Sequence, residues 1–150
     1  MKKSPQTVKL EDMLRSSHLV AGGFMGADDR SFIEIIETDD AELVKMGYSL
    51  KDLADRMDTI TEIAKKSLGN WAELDEKRLA MISEAKGLLV CPWPHPGKFT
   101  KTVTTVKLKN SDETISWTDL NIHLIAEHGF FEGKGSPFRI EPKKLIKIIF

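Results

Sequence analysis

Between Leu50 and Leu68 the apolar residues Leu50, Leu53, Ala54, Met57, Ile60, Ile63, Ala64 and Leu68 recur at three- and four-residue steps. That spacing lines one face of a helix. Ser49 with Asp52 forms a capping-box pair at its start, and Gly69 supplies a stop, so one helix is predicted over 50–68. Upstream, Ser4-Pro5 reads as an N-cap and first helical position for a helix with Val8, Leu10, Met13 and Leu14 on its apolar side. The stretch HLVAGGFMGADDR interrupts it with three glycines in five residues, as a loop or a close approach of backbones requires. Asp28 or Asp29 is then expected to cap a short helix through Phe32, Ile33, Ile35 and Ile36, with a strand as the alternative. Asp39 or Asp40 is expected to open another, ending at Gly47.

From Asp75 to Lys86 the pattern favours a helix, with a strand left open, and the character changes after Gly87. LLVC reads as a short buried strand and PWPHPG as a stiff connector. FTKTVTTVKLK alternates apolar and polar positions with one shift of phase between Val103 and Val106, as a bulge or two short strands would give. NSDE is a turn and TISW a strand. Thr118 or Ser116 caps a helix through His128, FRI reads as a last strand, and Pro142 opens a C-terminal helix. The expected fold is α+β: a helical N-terminal half packed with a small, mainly antiparallel sheet plus one helix in the C-terminal half. A single domain over 1–150 is expected, helix-rich over 1–87 and β-rich over 88–150.

Composition narrows the partners. The lone Cys91 rules out an internal disulfide and fits a reducing compartment. No apolar run approaches the roughly 20 residues of a membrane helix, and MKKSPQTVKLED has no apolar segment behind its basic start. A cytoplasmic protein with no membrane partner is the expectation. The net charge of −1 divides unevenly, −5 over residues 1–75 and +4 over 76–150. An excess that small favours a small anion over a polynucleotide. Ser49-Leu50 and Leu53-Ala54 resemble the SL-x-x-LA of the first helix in helix-turn-helix proteins, which would imply DNA binding. The resemblance covers only these positions. Asp58 stands where the turn glycine is expected, and one continuous helix fits better.

Three constellations carry candidate chemistry. The first is EHGFFEGKGSPFR, residues 127–139, where glycines, aromatics and cations meet in one loop. Gly133, Lys134, Gly135, Ser136 and Arg139, with Lys98, are the expected donors to a small anionic ligand. The segment falls short of a phosphate loop, having one residue too few between its glycines and Gly135 where a hydroxyl is required; Gly22, Gly23 and Gly26 likewise miss the dinucleotide spacing. No nucleotide-cofactor motif is present. The second is the helix TDLNIHLIAEH. At about 100° per residue Asp119, His123 and Glu127 fall within about 80° of one another, a stripe suited to acid/base work. The third pairs Cys91-Pro-Trp-Pro-His95 with His123, a thiolate and two imidazoles able to hold a divalent metal. His128 lies about 140° from His123 on the same wheel and is expected to complement the helix dipole instead.

The preferred reading is a pocket for a small anionic ligand walled by 91–98, 116–128 and 127–139, as a binding or a catalytic site. The alternatives are a metal-binding protein using Cys91, His95 and His123, or a non-catalytic interaction module presenting the 50–68 helix or the acidic 28–42 segment to a partner or a second copy. Nothing in the sequence names a bond that is made or broken.

Overall fold

The computed structural model describes residues 4–17, 19, 20 and 22–150; the leading MKK, and His18 and Ala21 of the first glycine loop, lie outside them. Among the described residues five helices and six strands follow in the order α1 (Pro5–Arg15), α2 (Phe32–Met46), α3 (Leu50–Lys65), β1 (Ala72–Asp75), β2 (Arg78–Ser83), β3 (Leu88–Val90), β4 (Lys98–Thr100), β5 (Val103–Leu108), β6 (Thr114–Thr118), α4 (Asp119–His128) and α5 (Pro142–Ile149). Strands β1-β2-β5-β6 form an antiparallel sheet, and β3 pairs with β4 in a separate two-stranded ribbon. The fold is an α+β mix, as the pattern predicts.

Several local signals are realised. The Ser49–Asp52 capping box forms with both hydrogen bonds, as does a second at Thr118 and Asn121, while Gly129 ends α4 in the left-handed conformation. The phase shift in FTKTVTTVKLK resolves into two strands, β4 and β5, that belong to different sheets.

Four expectations need correction. The helix expected over 75–86 is a hairpin: Glu76-Lys77 turns the chain, and Ala80 and Ile82 alternate into the core from β2. Its Glu, Lys, Leu and Ala content favours a helix locally, but pairing with β5 over residues 78–83 overrides that propensity. The two short helices expected over 32–47 are one, capped by the Ser31 hydroxyl rather than by Asp28 or Asp29. Asp39 sits inside it because Arg139, far along the chain, grips both carboxylate oxygens at 2.5 and 2.9 Å. The LLVC strand is not buried, since Leu88 is 55% exposed. FRI forms no strand; Ile140 instead returns a backbone hydrogen bond to Phe131.

Two apolar clusters make the core. One joins α3, α5 and the sheet around Met57, Val106 and Trp117; the other gathers Leu14, Phe24, Phe32, Cys91, Leu124 and Phe130. Helix α4 stands between them, giving Ile122 and Ile125 to the first and Leu120 and Leu124 to the second. It is therefore apolar over most of its circumference and held on two sides.

The glycine loops explain each other. Gly133 donates its backbone N–H to Phe24 O at 2.8 Å, and a Cβ on Gly133 would strike the Met25 backbone. Gly26, at φ +56°, lies equally close to the 134–136 backbone. The glycines of both segments let two loops pack backbone to backbone.

Two stability predictions follow from the buried charges. Asp39 and Arg139 have side chains only 4% and 8% exposed, so Arg139→Leu strands a buried carboxylate. The expected loss is about 3–5 kcal/mol in denaturant unfolding, partly recovered when Asp39→Asn is added. Glu132 is 5% exposed, accepting hydrogen bonds from Ser136 at 2.6 Å and Asn121 at 2.7 Å. Burial pushes its carboxyl up to about 7, against partial compensation from those bonds and from Arg139. The protonated form is thus favoured by folding, so this contribution is complete below about pH 4.5 and is lost as pH rises through about 7. Gln fits the same place, its carbonyl accepting from Asn121 and its amide donating to the Ser136 hydroxyl. Relative to Glu132→Gln, the native protein should lose about 3 kcal/mol of unfolding free energy across that window. A flat difference would contradict the assignment.

Candidate metal centre

Cys91 follows β3 directly, and its thiol is buried in the second core cluster. Pro92, Pro94 and Pro96 restrict the loop behind it, which turns sharply where the His95 N–H donates to Trp93 O at 2.8 Å. Trp93 fixes this loop to the body of the protein. Its indole stacks on the His128 ring, centroids 4.0 Å apart and planes 9° from parallel, and meets Phe32 and Phe130 edge-on. From the other side, Phe99 of β4 packs against His123 at 4.7 Å between centroids. The ribbon and its proline loop thereby reach the C-terminal half of α4, where His123 and His128 stand.

Four side chains converge there. The Cys91 Sγ lies 3.3 Å from His95 Nε2 and 3.5 Å from His128 Nε2. His95 Nε2 is 3.1 Å from His128 Nε2 and 3.3 Å from His123 Nε2. All four candidate ligand atoms fall within 4.8 Å of one another. They form a Cys/His cluster.

Hydrogen bonding alone does not satisfy it. His95 Nδ1 lies 3.0 Å from Pro96 O, a carbonyl to which it must donate. In a neutral imidazole the proton is then on Nδ1, and Nε2 offers a single in-plane lone pair. Three other ligand atoms crowd that one lone pair at 3.1–3.3 Å. A cation at the centre accepts one lone pair from each group. Four of the six separations, at 3.1–3.5 Å, come close to those of a tetrahedral site, where Zn–S near 2.3 Å and Zn–N near 2.05 Å give N···N edges of about 3.4 Å and S···N edges of about 3.6 Å; the other two lie within 4.8 Å.

The electrostatics fit neutral imidazoles. Burial, and after it the neighbouring His123 and His95, lowers His128 to about 4. His123 is lowered by burial and by His95. Burial pushes the Cys91 thiol up, with the Trp93 backbone N–H opposing it, so a metal would have to displace the thiol proton on binding.

The expected metal set of Cys91, His95 and His123 is brought together, and His128 joins it. The helix wheel excluded His128 because it compares directions about the axis. It ignores a loop seated at the helix end, toward which the last residue and one a turn and a half earlier both reach. Two pairs of potential ligands, C-x₃-H and H-x₄-H, were the available signal.

The other expected site residues are placed differently. His123 turns its Nε2 into the cluster, and among the described residues no hydrogen bond joins it to Asp119 or Glu127; Asp119 accepts from Thr100 at 3.1 Å. Asp119 and Glu127 do line a shallow groove beside His123 together with Asp58 and Glu62. Of the expected anion donors, Arg139 is engaged by Asp39 and Glu141, and Ser136 donates to Glu132. Gly133 and Gly135 pack against Met25 and Ala27, Lys134 gives its N–H to Asp28, and Lys98 lies on the ribbon. The structure does not gather them around one point.

Comparison with protein-family models, curated proteins and solved structures finds no match for this chain. Functional inference therefore rests on the site. Among the described residues no helix is long and apolar enough to cross a membrane.

Proposed function

We propose that this is a zinc-binding protein in which Cys91, His95, His123 and His128 hold one zinc ion. The observation that carries the reading is the crowding of three ligand atoms around the single lone pair of His95 Nε2. Mixed thiolate and imidazole donors at tetrahedral separations suit zinc better than magnesium or calcium, which prefer oxygen. Four protein ligands fill a tetrahedron and leave no place for a water, the mark of a structural rather than a catalytic site.

The clamp has a mechanical purpose. Strands of three residues in a two-stranded ribbon are marginal on their own. Zinc would tie the ribbon and its proline loop to α4, adding binding free energy to folding. The resulting function is that of a metal-stabilised module, with the clamped ribbon as the element whose position depends on the metal. A pocket for a small anion has less support, because Arg139 and Ser136 are engaged within the protein.

Native mass spectrometry of the untagged protein should find one zinc per chain, its binding having released the Cys91 thiol proton. His128→Ala is the discriminating variant, since a site built on Cys91, His95 and His123 alone would keep its ion. It and Cys91→Ala should lose stoichiometric zinc, while Glu127→Gln, beside the site, should retain it. Zinc-free native protein, or zinc undiminished in both ligand variants, would refute the proposal. Chelation should also speed amide exchange over 88–100 by at least tenfold while α3 and β5 stay protected. Equal acceleration throughout would show that the metal holds the whole fold rather than the ribbon.

A further inference from the structure

A second cavity, away from the Cys/His cluster, lies between the ribbon and the turn that follows α4. It has a volume of about 390 Å³, within the range of small-molecule sites, and Phe24, Leu89, Val103, Leu120 and Phe138 give it apolar walls. One ionisable group is buried at its lining, the Glu132 carboxyl.

That carboxyl is built in with care. Asn121 donates to Oε2 and Ser136 to Oε1, fixing its plane. Asn121 is itself fixed, because its own carbonyl accepts from the Thr118 backbone N–H at the start of α4. Glu132 adopts φ +66°, a left-handed conformation that is costly for a residue with a side chain. A glutamine would pair with both neighbours, accepting from Asn121 and donating to the Ser136 hydroxyl, without burying an ionisable group, so the hydrogen bonds alone do not account for an acid here.

What the carboxylate lacks, among the described residues, is a cation in direct contact. Arg139 comes near, but its guanidinium donates to the Glu132 backbone carbonyl at 2.8 Å and directs its fork at Asp39 and Glu141. Lys101 also lines the cavity, and the end of its side chain, from Cδ to Nζ, lies beside Gly87. Among the described residues no salt bridge reaches Glu132, although each of its oxygens retains a lone pair able to accept again. An apolar chamber with one buried carboxylate that no cation touches directly is complementary to a molecule with an apolar body and a cationic head.

We propose that this cavity is a binding site for a small apolar amine, whose ammonium group pairs with Glu132 while its hydrocarbon body fills the space between Leu89, Val103 and Phe138. Carboxylate and ammonium would meet out of water, where a charge-assisted hydrogen bond is strongest. The proposal is independent of the zinc reading, since none of the four cluster residues lines the cavity.

Octylamine, octanol and octanoate form a matched series of probes, titrated calorimetrically at pH 8 into the protein as isolated. Octylamine should bind saturably at one site, at least tenfold more tightly than octanol or octanoate. Glu132→Gln should reduce the amine to the affinity of the alcohol, and Lys65→Ala, at a residue that does not line the cavity, should leave it unchanged. Val103→Phe, which fills the cavity without touching Glu132, should abolish binding of all three, with circular dichroism confirming that each variant is folded. Equal binding of amine and alcohol would reduce the cavity to an apolar void. Tightest binding of octanoate, lost in Lys101→Ala, would reverse the assignment of the head group. Absence of saturable binding by any probe would also overturn the proposal.

Discussion

Lone pairs that converge must be shared with something, and at the C-terminal end of α4 four of them do. A thiol sulfur and three imidazole nitrogens stand there, four of their separations at 3.1–3.5 Å and all of them within 4.8 Å. Two neutral imidazole nitrogens in contact can share one proton, but His95 Nε2 has three neighbours and one lone pair. A central cation, as proposed, would resolve the conflict at every corner at once. Much of the local architecture serves this convergence. Three prolines stiffen the loop, Trp93 stacks it on His128, and the Thr118 capping box with Gly129 fixes both ends of the helix.

The same helix connects the site to the rest of the protein. Because α4 is buried by two apolar clusters, its histidines are held by the packing of Leu120, Ile122, Leu124 and Ile125. Cys91 belongs to one of those clusters, so the ligand with the least exposure is also a core residue. The ribbon, by contrast, brings few apolar residues to either cluster, which is why a metal clamp would matter there more than elsewhere. Leu89, two residues before Cys91, also walls the cavity that contains Glu132, so the ribbon borders both sites.

Legibility in the sequence followed the range of the deciding interaction. Helices α3 and α4 with their capping boxes, and α5 with Pro142 at its start, rest on contacts within a few residues, and the pattern of apolar positions marks them. Helix α2 and the β1–β2 hairpin do not: Asp39 is tolerated mid-helix because of Arg139, and residues 78–83 are strand because β5 lies beside them. The site shows the same division. Cys91 and His95 are joined by a short stiff loop and were legible as a pair, and His123 with them. His128 was not, because its membership depends on where a distant ribbon docks. The aromatic and glycine-rich stretch 127–139 reads as a ligand loop in isolation. In the fold its glycines admit the 24–28 backbone, and Glu132 is the charged residue it contributes to the cavity beside the ribbon.

X-ray absorption at the zinc edge, on untagged protein purified without added metal, tests the central claim most directly. The account predicts a four-coordinate zinc with one sulfur at about 2.3 Å and three imidazole nitrogens at about 2.0 Å, the imidazoles identified by their outer-shell scattering. A first shell of six oxygen or nitrogen atoms with no sulfur, or a sample containing no metal, would contradict it.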